Sequence, residues 1–503
     1  MTASDDRSRA ARVLAVFRRP VPQRARLVVA LLATVPFILA WWTFWFPLTY
    51  CDSDGWAPSY LGRLTGRVTA IGGGPRGWVV PAYFHVLGAW SIALGSGNLI
   101  GLAQAAMVAA ALLWMSAKCA KGAVIAELIL APALVFSGLR YAIYSQTVLS
   151  ESFVVVLSIV VWMTILSSSI RPGHALLVGA AAAVLAHARV DMLYVAPLLL
   201  VRLASLRDAR RLANAALAAA GIIAAHVALS TVEMPPPPGI YPIGKLMVMA
   251  EWMRYTQPPH NALAGLARND LVDRFIPVVE RHQVRDVYAG LGPARSVYRE
   301  TADPSWSAVA RLIVYQCVNR PLTVLGDRLG TSADLYFTAY AAFWPGYRPW
   351  SSYYSSYGNA FSNWTPDVLD QRYPPCARFF DAQTRFYQHP RIRSRRACGV
   401  LLWLHHAARW YELGVMRPLL WLALPVCLVL LLRGRGGSTY YWITALIVAH
   451  LALRAFLVCA DERYELPIDL LLVWWLALSI RQLSCAVRHA GLRAGTPACR
   501  PAP

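Results

Sequence analysis

The chain has 503 residues, of which 57% are hydrophobic and 15% charged, with 48 Lys and Arg against 26 Asp and Glu for a net charge of +22. A soluble domain is roughly 25% charged, so these figures exclude an ordinary water-soluble enzyme, and they equally exclude a disordered chain or, with nine scattered cysteines, a disulfide-dense scaffold. The basic residues fall in short clusters between long apolar runs, which argues against a nucleic-acid-binding face and for a polytopic membrane protein.

A bilayer-spanning helix needs about 20 mostly apolar residues. The first such run, 27–49, follows Arg7, Arg9, Arg12, Arg18, Arg19, Arg24 and Arg26 and is rich in Trp. No small-residue cleavage site follows it, so it predicts a retained signal anchor behind a basic cytoplasmic N-terminus, 1–26. Residues 50–97 form an outer loop, with 79–94 expected as a juxtamembrane helix on the outer face. Further spans are predicted at 98–116, 122–139, 153–168, 174–188, 191–204 and 213–231, completing an N-terminal transmembrane module, 27–231. Residues 232–397 then make an extracytoplasmic domain that opens on four prolines, 235–238, a stiff exit from the membrane. Its 254–330 part has helical patterning, whereas 336–364 is dominated by aromatics, Ser and Gly.

The C-terminal helices occupy 398–484, with spans at 415–432, 439–459 and 466–484, and 485–503 is a cytoplasmic tail. Residues 399–412 carry His405, His406 and Arg409 and predict an interfacial amphipathic helix. The expected fold is therefore an all-α membrane protein. It is a polytopic bundle of about ten transmembrane helices, with juxtamembrane helices and a mainly helical extracytoplasmic domain.

Ten spans put both termini on one side, and the distribution of Lys and Arg tests that count. Twenty basic residues sit at the predicted inner ends, including Lys118, Lys121, Arg171, Arg202, Arg207, Arg210, Arg211, Arg433 and Arg435, against only Asp5, Asp6 and Asp208. Inner segments thus carry +17 of the +22, so most of the charge excess is an orientation signal. Both termini are expected in the cytoplasm of a cell whose inner (plasma) membrane holds the protein. Cys51, Cys317, Cys376, Cys398 and Cys459 fall on or near the outer side, where an oxidising compartment would allow Cys376 and Cys398 to bridge. No CxxC metal spacing occurs.

Four polar clusters fall on the predicted outer side. Cys51-Asp52-Ser53-Asp54-Gly55-Trp56 directly follows the first span. One carboxylate here could take a proton from an acceptor hydroxyl and a second hold a cation, or the run is a solvated surface turn. Arg140-Tyr141, Ser145-Gln146 and Ser150-Glu151 lie between the third and fourth spans. A Glu entering a span is costly if it faces lipid and points to function; the alternative is an interface Glu, or one paired with Arg140. His187-Ala188-Arg189-Val190-Asp191 is a tight turn that leaves Arg189 near an anionic headgroup, or paired with Asp191. Asp461-Glu462-Arg463-Tyr464-Glu465-Leu466-Pro467 offers Arg463 to a phosphate, or as a residue snorkelling from a helix end.

Carboxylates and arginines converging on one face of the membrane suit a lipid-linked phosphate substrate. The aromatic stretch Tyr336–Trp364 reads either as stacking platforms for sugar rings or as an interface belt.

In this arrangement the chain resembles the GT-C class of integral-membrane glycosyltransferases, which use polyprenyl-phosphate sugars and include the protein O-mannosyltransferases and the aminoarabinose transferase of lipid A. The residues that carry the resemblance are Asp52-Ser53 with Trp56, then Arg76-Gly77-Trp78-Val79-Val80-Pro81, then Pro132 followed by Glu151. Arg189-Val190-Asp191 and Arg463-Tyr464 with Pro467 complete it. The match is best over the first seven spans. Where the class has an adjacent Asp-Glu pair, this chain has Asp52-Ser53-Asp54, and spacing to Trp56 favours Asp52 as the counterpart. The 232–397 domain matches no acceptor-binding module.

The resemblance implies inverting transfer of a sugar from a polyprenyl-phosphate donor to a glycan, lipid or protein acceptor. Asp52 would be the general base, and Asp54 or Glu151 would orient the acceptor or a divalent cation (Mg, Mn or Ca) held at Asp52 and Asp54. Arg189 and Arg463, with Arg140 and Lys245, would bind the donor phosphate. The competing expectation is a transporter or flippase of a lipid-linked or anionic substrate. Transporters place ionisable groups near the midplane and often show inverted repeats. The residues singled out inside spans are Glu127, His226, His450 and Arg454, and no halves are evident.

Overall fold

The computed structural model describes residues 23–43, 79–94, 99–119, 135, 138–142, 145–146, 150–232, 245, 248–249, 251–252, 306–338, 394–434, 437–457 and 467–491. Among them the chain is all-α, with no strand. The helices are α1 (Gln23–Thr43), α2 (Val79–Ala93), α3 (Leu99–Cys119), α4 (Glu151–Ile165), α5 (Pro172–Ala188), α6 (Val195–Ser205), α7 (Arg211–Val232), α8 (Trp306–Asn319), α9 (Pro321–Thr338), α10 (Arg395–Tyr411), α11 (Arg417–Leu432), α12 (Gly437–Leu457) and α13 (Asp469–Gly491).

The helices form where the apolar runs predicted them, and local chemistry sets their ends. Pro172 opens α5, where its missing N–H is no loss. The reversal from α11 into α12 uses Gly434 and Gly437, at φ 61° and 73°, a region that residues with a Cβ rarely enter. Inside α4, α5 and α6 most buried residues are apolar, with Trp162, Leu185, Leu199 and Leu203 fully enclosed, while Glu151, Ser152, Ser158 and Arg202 are buried among them.

Small residues set the closest packing. A Cβ placed on Gly179 of α5 would collide with the carbonyl oxygen of Ala218 on α7, and one placed on Gly221 of α7 would collide with that of Leu176 on α5. These two glycines let the backbones touch, the device by which helices associate where lipid removes the hydrophobic drive between them.

Among the described residues, three helical runs are long and apolar enough to cross a membrane: α7, residues 399–432, and α12. Others are apolar but shorter, such as α4 with 15 residues and α5 with 17. Fifteen residues cover about 22 Å against about 30 Å of hydrocarbon. The span expected at 122–139 lies almost wholly outside the described residues. The outward faces of the long helices carry Leu212, Ile223 and Val227 on α7 and Leu422, Leu428 and Leu432 on α11, all exposed. A surface of this kind calls for an apolar surrounding.

One expectation about organisation changes. The amphipathic segment at 399–412 is not a separate helix: α10 runs through a π-helical turn, Glu412–Met416, directly into α11. Pro418 has no N–H to donate to the ladder, and the widened turn just before it carries the helix past that gap. Within 232–397, helix α9 packs along α12, and the Tyr336 hydroxyl donates to the Leu420 carbonyl at 2.9 Å, among the residues of α11 and α13.

Candidate functional site at one end of the bundle

Four helix ends gather at one end of the bundle: the start of α4, the end of α5, the end of α12 and the start of α13. The turn between α5 and α6 brings Arg189 to Asp191. The Arg189 Nε donates to Asp191 Oδ1 at 3.0 Å, and its Nη2 reaches Oδ2 in a fork of two parallel contacts. A second guanidinium, Arg454 in the last turn of α12, lies 3.4 Å from the same Oδ2. All three side chains are buried. Burial alone would raise the Asp191 pKa. The pull of Arg189, and then of Arg454, outweighs it and holds the carboxyl well below the ordinary carboxylate range. The triad therefore carries two permanent positive charges on one negative charge.

His450, one turn earlier on α12, extends this cluster. Its Nδ1 shares a hydrogen bond of 3.2 Å with the Tyr194 hydroxyl, and the two rings meet edge to face. Beside the triad, the next two carbonyls of α12 are capped from another part of the chain. Arg328 of α9 donates from Nη1 to the Ala455 oxygen at 2.6 Å, and Trp252 donates from Nε1 to the Phe456 oxygen at 2.8 Å. The last four carbonyls of a helix have no intrahelical partner, and a cation is favourable there. The Arg328 guanidinium also pairs with Glu251 at 2.8 Å and lies 5.0 Å from the centre of the Trp252 ring. A separate buried pair joins Arg140 to Asp469 in the first turn of α13, at 2.8 Å.

Of the residues proposed from sequence, Arg189 and Arg140 each enter a buried ion pair, with different carboxylates. Glu151 is buried at the first position of α4, among the same helix ends. Near it, the Tyr83 hydroxyl donates to Gln104 Oε1 at 3.5 Å, Gln104 Nε2 donates to the Ser145 carbonyl at 3.0 Å, and Gln146 Nε2 donates to that of Gly101 at 3.2 Å. Lys245 is half-buried, six positions before Glu251. Asp52, Asp54 and Arg463 lie outside the described residues, as do Glu127, Cys376 and the paired role proposed for it with Cys398. No cluster of three or more His, Cys, Asp or Glu suited to a metal occurs among the described residues.

Set against protein-family models, curated proteins and solved structures, the chain matches none of them. Its chemistry has to be read from the site itself.

The opposite end of the bundle holds a different arrangement. Arg202 of α6 donates to the carbonyls of Ile165 and Ser167 at 2.8 and 2.9 Å and to the Ser438 hydroxyl at 3.2 Å, and it lies 5.4 Å from the centre of the Trp442 ring. These partners lie at or beside the ends of the predicted spans that the positive-inside count assigns to the inner side. The clusters around Asp191, Asp469 and Glu251 come from segments assigned to the outer side.

Sequence reading passed over Asp469, Glu251, Arg328 and the pairing of Arg454 with Asp191. Asp469 and Arg454 did carry a signal. Each is an ionisable residue in the terminal turn of an apolar helix, a place where charge is costly unless paired.

Proposed function

We propose that the chain is an integral-membrane glycosyltransferase of the GT-C kind, with about ten spans and both termini in the cytoplasm. It transfers a sugar from a polyprenyl-phosphate donor to an acceptor on the outer face. The observation that carries this reading is the triad of Arg189 and Arg454 on the single carboxylate of Asp191, with the Arg140–Asp469 pair at the same end. Arginines and carboxylates from distant parts of the chain collect at the end to which the charge distribution assigns the outer surface. Two guanidiniums gathered at one buried carboxylate are the kind of cluster that suits an anionic phosphate headgroup.

In the proposed reaction the acceptor hydroxyl attacks the anomeric carbon. A new carbon–oxygen bond to the acceptor forms as the bond to the donor phosphate breaks, and configuration inverts. The hydroxyl proton passes to the Asp52 carboxylate, with Asp54 or Glu151 orienting the acceptor. A divalent cation bound at Asp52 and Asp54 would add charge stabilisation. Negative charge collects on the departing polyprenyl phosphate, where Arg189 and Arg463, supported by Arg140 and Lys245, offset it.

The test is transfer of labelled sugar from polyprenyl phosphate by the purified, vesicle-reconstituted protein, comparing wild type with Asp52→Asn and Asp54→Asn. The expected result is transfer by the wild type and loss in Asp52→Asn. Wild-type turnover in Asp52→Asn would remove the base assignment. Movement of lipid-linked sugar across the bilayer with no acceptor consumed would replace the enzyme with a transporter.

A further inference from the structure

Two loops close the bundle at the end opposite the Asp191 triad, 166–171 between α4 and α5 and 206–210 between α6 and α7. Two polar side chains hold them in place. From the last turn of α6, Arg202 donates to the carbonyls of Ile165 and Ser167 at 2.8 and 2.9 Å. From the first turn of α7, the Asn214 backbone N–H donates to the Arg210 carbonyl at 2.9 Å, while its Nδ2 donates to the Ile170 carbonyl at 3.0 Å. The loops that carry Arg171 and Arg210 therefore meet at one asparagine, which is itself buried.

Arg171, Arg207, Arg210 and Arg211, in or beside these loops, are all exposed. None of the four enters an ion pair among the described residues. The two loops hold one carboxylate, Asp208, whose Oδ1 accepts the Arg210 backbone N–H at 3.0 Å. An orientation signal requires only that basic residues be numerous near a span. Here they also stand on a fixed platform at the border of apolar surface. Leu212, next to Arg211, is 68% exposed, and Leu177 on α5 and Val201 on α6 are exposed above the same loops. Guanidiniums over an apolar face match the two parts of a phospholipid, because the planar fork suits phosphate and the exposed aliphatic residues suit acyl chains.

We propose that this end of the bundle binds anionic phospholipid, with Arg171, Arg207, Arg210 and Arg211 drawing the headgroup phosphate and Leu177 and Leu212 lying against the acyl chains. A choline headgroup brings an ammonium that the arginines repel, so the site selects by headgroup charge. Each cation close to an anionic membrane surface is worth roughly fivefold in association, and salt weakens the attraction. A disordered basic tail would offer the same charges without a fixed arrangement; these four ride on loops whose carbonyls are tied to Arg202 and Asn214. The proposal does not depend on the glycosyltransferase reading and uses none of the residues assigned to that reaction.

The test titrates the full-length protein in detergent with dioleoyl phosphatidylglycerol or with dioleoyl phosphatidylcholine and counts bound lipid by native mass spectrometry. The first phosphatidylglycerol is expected to bind at least about tenfold more tightly than the first phosphatidylcholine. Arg210→Gln with Arg211→Gln should bring the two lipids within about threefold of each other and leave phosphatidylcholine binding unchanged. Arg311→Gln with Arg396→Gln removes the same charge from exposed positions elsewhere and should leave the preference intact. Equal affinity of the wild type for the two lipids would overturn the proposal. So would an equal loss in both double variants, which would assign the preference to total charge. Glycerophosphoglycerol, the headgroup without its chains, binding as tightly as the lipid would also overturn it and give the arginines to a soluble anion.

Discussion

The Arg140 guanidinium meets the Asp469 carboxylate at 2.8 Å across 329 positions of chain, with both side chains buried. The pair joins the segment before α4 to the first turn of α13. Removing one partner of such a buried pair leaves an uncompensated charge and typically costs about 3–5 kcal/mol, whereas replacing both by apolar residues is often near neutral. Arg140→Ala and Asp469→Ala are each expected to lower the thermal midpoint of the detergent-solubilised protein by several degrees. Arg140→Met with Asp469→Leu should recover most of that loss. A double variant no better than the singles would show that the pair is not an isolated unit.

Asp191 sets a pH dependence of known sign. Its folded-state pKa lies below its ordinary value of 3.8, so its contribution to stability is fully present above that value and fades as pH falls through and below it. Melting temperatures of wild type and Asp191→Asn are therefore expected to differ by a constant amount from pH 8 to about pH 5. The gap should narrow as the pH drops below about 4. A gap that widened on acidification would reverse the assignment.

The close approach of α5 and α7 predicts an asymmetry among glycines. Gly179→Ala and Gly221→Ala each force a backbone apart, and overpacking of this kind costs about 1–3 kcal/mol. Gly326→Ala fills open space and should gain up to about 1 kcal/mol in helix propensity. Thermal melts of the three single variants check the order.

Arg454 separates structure from chemistry at the proposed site. If the triad supports the donor phosphate, Arg454→Lys keeps the charge near Asp191 but loses the planar, multiply donating guanidinium, and transfer should fall about 10²–10³-fold, the usual cost of losing a charge-stabilising donor. The measurement is kcat against donor concentration, alongside the melting curve. Unchanged turnover in a folded Arg454→Lys protein would reduce the residue to a structural role.

The extents of the apolar helices were legible to within a few residues. The run expected at 174–188 is α5 at 172–188, that at 213–231 is α7 at 211–232, and that at 439–459 is α12 at 437–457. Hydrophobic periodicity and length suffice for this because the backbone must satisfy itself within each helix. Partners were not legible. The reading that Arg189 pairs with Asp191 was open from two residues in one turn, but Arg454 with Asp191 and Arg328 with Glu251 depend on which helices touch. The packing of α9 was not legible either, because its mixed composition does not show that Arg328 turns inward to the end of α12.

The carbonyl end of α12 has a consequence for the order in which the protein is made. Asp191, Trp252 and Arg328 are all synthesised before residues 454–456, which receive them, and Arg140 long before Asp469. Until the last two helices enter the membrane, the nascent chain holds these polar groups without these later partners. The closing pair of helices, α12 and α13, is therefore the step that completes the contacts. A chain truncated before residue 437 would be an object for membrane quality control rather than a smaller working protein.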